Sequence, residues 1–87
     1  MKLILCKDCE DIIKLDYEIR YCKCGSSLGR YLEDGHHAEI QGPCIPIGIN
    51  NRSLASCIQF PEMLKGERGP GLHAWVFGEK YERITRL

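Results

Sequence analysis

Four cysteines stand at a spacing that suits coordination chemistry: Cys6-Lys7-Asp8-Cys9, then twelve residues, then Cys22-Lys23-Cys24-Gly25. Two short cysteine pairs separated by a hairpin-length spacer form the zinc-ribbon pattern. Zn²⁺ takes four ligands in a tetrahedron, soft thiolates suit it, and each tight turn delivers two of them. Gly25 follows the last ligand, where a turn needs positive φ or bare N–H groups aimed at sulfur. The second pair is Cys-x-Cys, a variant of the commoner Cys-x-x-Cys. The competing reading is two disulfides or four unrelated thiols. The expectation is one structural Zn²⁺ on Cys6, Cys9, Cys22 and Cys24. A full thiolate shell leaves no position for a catalytic water. Cys44 and Cys57 lie in apolar surroundings and read as buried core thiols, since a nucleophilic cysteine needs a nearby base and a lowered pKa.

Two further stretches have ligand-binding chemistry. Gly48-Ile49-Asn50-Asn51-Arg52-Ser53 is a strand-to-helix junction. A helix N-terminus offers unpaired N–H groups and partial positive charge, so Asn50, Asn51, Arg52 and Ser53 are candidates for an anionic, nucleotide-like ligand. The competing reading is plain N-capping with a solvated arginine. His73, Trp75 and Phe77 share one face of a strand whose other face carries Leu72, Ala74 and Val76. Alternation alone leaves open which face is buried, so the aromatic stripe is either a binding surface or core. His36 and His37 are adjacent, point to opposite faces of a strand, and read as surface residues near a turn. Gly66-Glu67-Arg68-Gly69-Pro70-Gly71 reads as a flexible loop and not a phosphate loop. No Ser-His-Asp order, paired-carboxylate motif or open metal site stands out, so the expectation is a protein that is not an enzyme.

The chain has 87 residues with 12 basic and 12 acidic side chains. Residues 1–30 carry six basic and five acidic groups and residues 31–87 carry six and seven, so neither part has the excess expected of a general nucleic-acid or membrane-surface binder. Nucleic-acid binding through Lys7, Lys14, Arg20, Lys23 and Arg30 is the alternative, opposed by the acidic residues of the same stretch. Leu3-Ile4-Leu5 is too short for the apolar region of a secretory leader, and no run reaches the roughly 20 apolar residues of a membrane span. The expected compartment is the cytoplasm, where six cysteines are thiols or metal ligands.

The elements that must position these residues form a small α+β arrangement. Residues 2–5 read as a strand entering the first knuckle. Residues 11–15 and 18–22 read as a ribbon hairpin turning at Asp16-Tyr17. Residues 29–33 and 37–41 read as a second hairpin around Asp34-Gly35. Residues 44–49 alternate Ile45, Ile47 and Ile49 on one face, with Pro46 predicting an edge or irregular strand. Asn50-Asn51 begins a helix to about residue 60, with Leu54, Cys57 and Ile58 as its apolar stripe, and Pro61 ends it. Residues 72–77 and 81–86 are strands. The prediction is an N-terminal zinc ribbon over 1–28 and an antiparallel β-rich body over 29–87, forming one compact domain. Ile45, Ile47, Ile49, Leu54, Ile58, Val76 and Ile84 are the core candidates. A chain of this size has a thin core, so a metal staple helps it.

The chain carries Cys-x-x-Cys, a hairpin, Arg20-x-Cys22-x-Cys24-Gly25 and Gly29-Arg30-Tyr31-x-x-x-Gly35. It continues with Gly42-Pro43-x-x-Pro46-x-Gly48-Ile49-Asn50, Ser53-Leu54 and Ala74-Trp75-Val76-Phe77. Over most of its length it resembles a group of small zinc-ribbon proteins encoded by phages, prophages and bacteria, to which no activity is attached. The resemblance implies a metal-bound cytoplasmic protein of a bacterial host cell, encoded by a phage. A host-directed, anti-defence inhibitor is a natural role for such a protein. It would occupy a partner protein or sequester a nucleotide-like ligand, as a homo-oligomer where pocket depth requires one. The third expectation is a structural subunit of a larger assembly.

Overall fold

The computed structural model describes residues 1–87. The chain runs β1 (Lys2–Cys6), β2 (Ile12–Lys14), β3 (Arg20–Tyr21), β4 (Leu28–Tyr31), β5 (Ala38–Gln41), β6 (Cys44–Ile49), α1 (Asn51–Gln59), a short 3-10 turn (Pro61–Leu64), β7 (Ala74–Val76) and β8 (Ile84–Arg86). The strands form two four-stranded sheets, ordered β2-β1-β6-β7 and β3-β4-β5-β8. All pairs are antiparallel except β5–β8, which is parallel and departs from the antiparallel expectation. The α+β class with one α-helix is as expected. No helix is long and apolar enough to cross a membrane.

The sheets pack face to face. Ile4 and Cys44 of the first sheet meet Ala38 and Ile40 of the second, Leu15 fills the space between them, and Ile13, Tyr31 and Ile84 close the margins. The pleat sets this arrangement. β1 and β6 pair Ile4 with Pro46 and Cys6 with Cys44, which puts these side chains on the inner face. The same register turns Ile45, Ile47 and Ile49 outward. They are half-buried and lie outside the core, and Ile58 and Val76 are 63% and 65% exposed. Of the expected core residues only Ile84 borders the observed one. The alternation was read correctly, but its inward face is the one carrying Cys44, Pro46 and Gly48.

The hairpin expected from 11–15 and 18–22 does not form. β2 pairs with β1 and β3 pairs with β4, so the two arms lie in different sheets. Leu15 is the reason. It is 1% exposed, and its N–H donates to the Lys2 carbonyl. The chain then passes to the second sheet, where Tyr31 N–H donates to Asp16 O. Asp16-Tyr17 also lacks the positive-φ residues of a two-residue hairpin turn. Residues 1–28 and 29–87 are thus interleaved, each contributing strands to both sheets. The second hairpin, around Asp34-Gly35, forms with Arg30 opposite Glu39.

Pro46 does not put β6 at an edge; β6 lies between β1 and β7. Pro46 O accepts from Phe77 N–H at 3.0 Å, so the missing proline donor faces the same side, just beyond the end of β7. Gly48 is needed for close approach, because a Cβ there would lie 2.5 Å from the Trp75 ring.

Candidate metal centre

The two sheets each deliver a pair of cysteines to one point. Cys6 ends β1 and Cys9 follows in the next turn. Cys22 follows β3 and Cys24 lies in the turn before β4. The four sulfurs all lie within 4.8 Å of one another, close enough to hold one metal ion. Cys6 Sγ is 3.8 Å and Cys22 Sγ 3.5 Å from Cys24 Sγ. All six cysteines are free thiols, so neither pairing into disulfides nor unrelated positions describes the first four. Cys6 and Cys22 are buried and Cys24 is exposed, which puts the cluster at the molecular surface with its inner side dry.

The turns around the sulfurs are tied by the groups that a thiolate cluster needs. Glu10 N–H donates to Cys6 O and Gly25 N–H to Cys22 O, closing both knuckles. Gly25 has φ +80°, as the turn requires. Ser27 N–H donates to Cys22 Sγ at 3.3 Å. Ser26 Oγ lies 2.9 Å from Cys24 Sγ and 3.5 Å from Cys6 Sγ. Asp11 accepts from Lys23 N–H at 2.9 Å, tying the first knuckle to the second. The one signal in the sequence for Ser26 and Ser27 is their adjacency to the last cysteine and Gly25.

These contacts shift the thiols unequally. The Ser26 hydroxyl holds the Cys6 thiol down to about 5. At Cys22 burial opposes ionisation, but the Ser27 N–H and the Cys24 thiol outweigh it and lower the pKa. At Cys9 the N–H groups of Asp11 and Cys24 favour the thiolate, yet burial and the neighbouring thiols of Cys24 and Cys6 push it to about 11. One thiolate makes the next harder to form, and a bound dication reverses that balance.

No family model, curated protein or solved structure matches this chain. What the remaining candidate residues can do follows from their own surroundings.

Asn50 caps the helix, its Oδ1 accepting from Ser53 N–H at 2.9 Å. Ser53 Oγ donates to Asn50 O and accepts from His73 N–H, and Asn50 N–H donates to His73 O. The junction and His73 are therefore brought together, with Asn50 and Ser53 engaged in joining α1 to the residue just before β7. Asn51 and Arg52 are exposed. Trp75 lies 43% exposed over Gly48. It meets Phe77 edge to face at 5.8 Å, and Phe77 packs on Tyr81 at 4.5 Å. Phe77 also lines a cleft of about 300 Å³ between the sheets, with Ile40, Pro46, Ile84, Glu79 and Arg86. Sequence reasoning missed Arg86. Its guanidinium donates to Gly42 O at 2.8 Å and Cys44 O at 2.7 Å, joining β8 to the start of β6. Cys44 and Cys57 are buried, and Cys57 Sγ donates to Gly71 O. His36 and His37 are exposed in the Asp34 turn.

Proposed function

We propose that this protein is a non-enzymatic binding protein whose fold is held by one structural Zn²⁺ in a zinc-ribbon-type site. The carrying observation is the geometry of the four sulfurs. A Zn–S distance of about 2.3 Å in a tetrahedron requires sulfurs about 3.8 Å apart. The separations of 3.8 and 3.5 Å around Cys24 lie close to that figure, and all four sulfurs lie within 4.8 Å of one another. Four thiolates fill the shell, so the ion stabilises the fold and activates no water. Cytoplasmic residence, where thiols stay reduced, accords with this donor set. Metal analysis of the purified protein tests the reading: one zinc per chain is expected, and a substoichiometric or absent metal overturns it.

The binding role is assigned to the cleft at Phe77. Its lining of Ile40, Pro46, Phe77 and Ile84 suits a planar apolar group, and Glu79 and Arg86 bring one charge of each sign to it. A nucleotide-like base or an aromatic side chain of a partner protein fits that description. The motif resemblance to phage and bacterial zinc-ribbon proteins supports the host-directed, anti-defence version of the role. Isothermal titration against mono-, di- and cyclic nucleotides tests the small-ligand form. Heat with one class that is lost in Phe77→Ala supports it, and flat heats across the panel remove it.

A further inference from the structure

Ser26 and Ser27 follow the second cysteine knuckle, and between them they reach three of the four clustered sulfurs. Ser26 Oγ lies 2.9 Å from Cys24 Sγ and 3.5 Å from Cys6 Sγ, so one hydroxyl meets a cysteine from each sheet. Ser27 N–H donates to Cys22 Sγ at 3.3 Å. The backbone that carries the two hydroxyls is held from behind by Gly42. A Cβ at that position would lie 2.0 Å from Ser26 O and 2.8 Å from Ser27 Cα.

The Ser27 hydroxyl stands out. Ser27 is the only buried polar residue of the chain, at 0% exposure, and its Oγ has no hydrogen-bond partner. A hydroxyl sealed from water without a partner loses its hydration for nothing, and native folds avoid that. The sulfur it acts on is that of Cys6, whose thiol is held down first by the Ser26 hydroxyl and next by that of Ser27. A neutral thiol is a weak acceptor, whereas a metal-bound thiolate is a strong one. The orphaned hydroxyl therefore gains its acceptor when Cys6 becomes a metal ligand.

We propose that Ser26 and Ser27 are positioning residues of the metal centre, their hydroxyls donating to the metal-bound sulfurs of Cys24 and Cys6. The inference rests on the tetrathiolate reading of those cysteines. Four thiolates on one dication leave roughly two units of negative charge, which donors around the sulfurs must spread. A hydroxyl has a single proton to give. For Ser26 the acceptors are Cys24 Sγ at 2.9 Å, Cys6 Sγ at 3.5 Å and Asp8 Oδ2 at 3.5 Å, so the proton goes to Cys24. Ser27 is left to serve Cys6. Cys24 is exposed where Cys6 and Cys22 are buried, so the Ser26 bond secures the ligand most open to water.

Cobalt titration of the reduced full chain tests this, with Co²⁺ as the probe. The wild-type protein should take one Co²⁺ per chain and show sulfur-to-cobalt charge-transfer absorption. Ser26→Ala should still take one ion, but ~10- to 100-fold more weakly. Its charge-transfer band should move to lower energy, because the sulfur lone pair has lost its donor. Ser26→Thr keeps the hydroxyl and should restore both affinity and band position. Ser27→Ala should weaken binding by ~10-fold or more, whereas removal of a hydroxyl that bonds nothing would leave binding unchanged. Wild-type affinity and band position in either alanine variant overturns the inference and leaves the metal centre standing. A loss of binding in Ser26→Ala that Ser26→Thr does not repair also overturns it. A wild-type chain that takes up no Co²⁺ removes the metal centre and the inference together.

Discussion

At the scale of single residues the thiol cluster divides into ligands and the groups that hold them. Cys22 is buried, accepts the Ser27 N–H and stands 3.5 Å from Cys24 Sγ, so it has no substitute nearby. Cys22→Ser should lower metal affinity by more than about 100-fold, since even outer-shell partners cost 10- to 100-fold. Cys57→Ser, with its sulfur on Gly71 O, should leave metal content unchanged. A competition assay with a chromophoric zinc chelator checks both. Asp34 gives a second residue-level test. It accepts the N–H groups of His37 and His36, and the His37 ring bonds its carboxylate. Those donors hold its pKa well below the ordinary 3.8. A depressed folded value means that the turn's contribution is fully present above pH of about 4 and is lost only as acid protonates the folded carboxylate. A carboxyl NMR titration should place the Asp34 midpoint below 3.8. A midpoint at or above it would contradict the assignment. The four cysteines and their grouping were legible because metal geometry constrains spacing along the chain. Ser26 and Arg86 were not, because their roles depend on contacts across the fold.

At the scale of elements, the short crossings between sheets carry more constraint than the strands they join. One is Gly42, between β5 and β6. It has φ +101°, and a Cβ there would fall 2.0 Å from Ser26 O in the second cysteine knuckle. The neighbour is backbone and cannot rotate aside. Gly42→Ala should cost about 3 kcal/mol, from left-handed strain and overpacking together, and lower Tm by more than about 10 °C. Gly78→Ala, where a Cβ meets nothing within 4 Å, should be close to neutral. Thermal unfolding followed by circular dichroism compares the two. β6 and α1 were legible almost to the residue, because isoleucine alternation and the Asn50 cap are local signals. The ribbon hairpin was misread because Leu15 leaves its strand to fill the space between the sheets, a long-range preference that no local pattern records. The core was misread for a related reason. Alternation separates two faces of β6, and only pairing with β1 decides which one turns inward.

At the scale of the whole molecule, the cysteine cluster lies where the two sheets meet. The first sheet gives Cys6 and Cys9 and the second gives Cys22 and Cys24, so an ion held there would join halves that otherwise share a core of five buried residues. Domains of this size have net stabilities of about 5–15 kcal/mol, and structural zinc contributes a comparable amount. Removing the ion with a strong chelator under reducing conditions should therefore abolish the cooperative unfolding transition, and restoring zinc should recover it. The acidic residues of the knuckles predict a further absence. Asp8, Glu10 and Asp11 stand in the same knuckles as Lys7 and Lys23, so this stretch carries no basic excess. No mobility shift with duplex DNA is expected even at ~50 mM salt, where phosphate contacts are strongest.

The proposed tetrathiolate zinc centre draws on Cys6, Cys9, Cys22 and Cys24. Zinc K-edge X-ray absorption on the purified protein tests it most directly. Four sulfur scatterers at about 2.3 Å are predicted. Fewer than four sulfurs, or nitrogen or oxygen in the first coordination sphere, would contradict it.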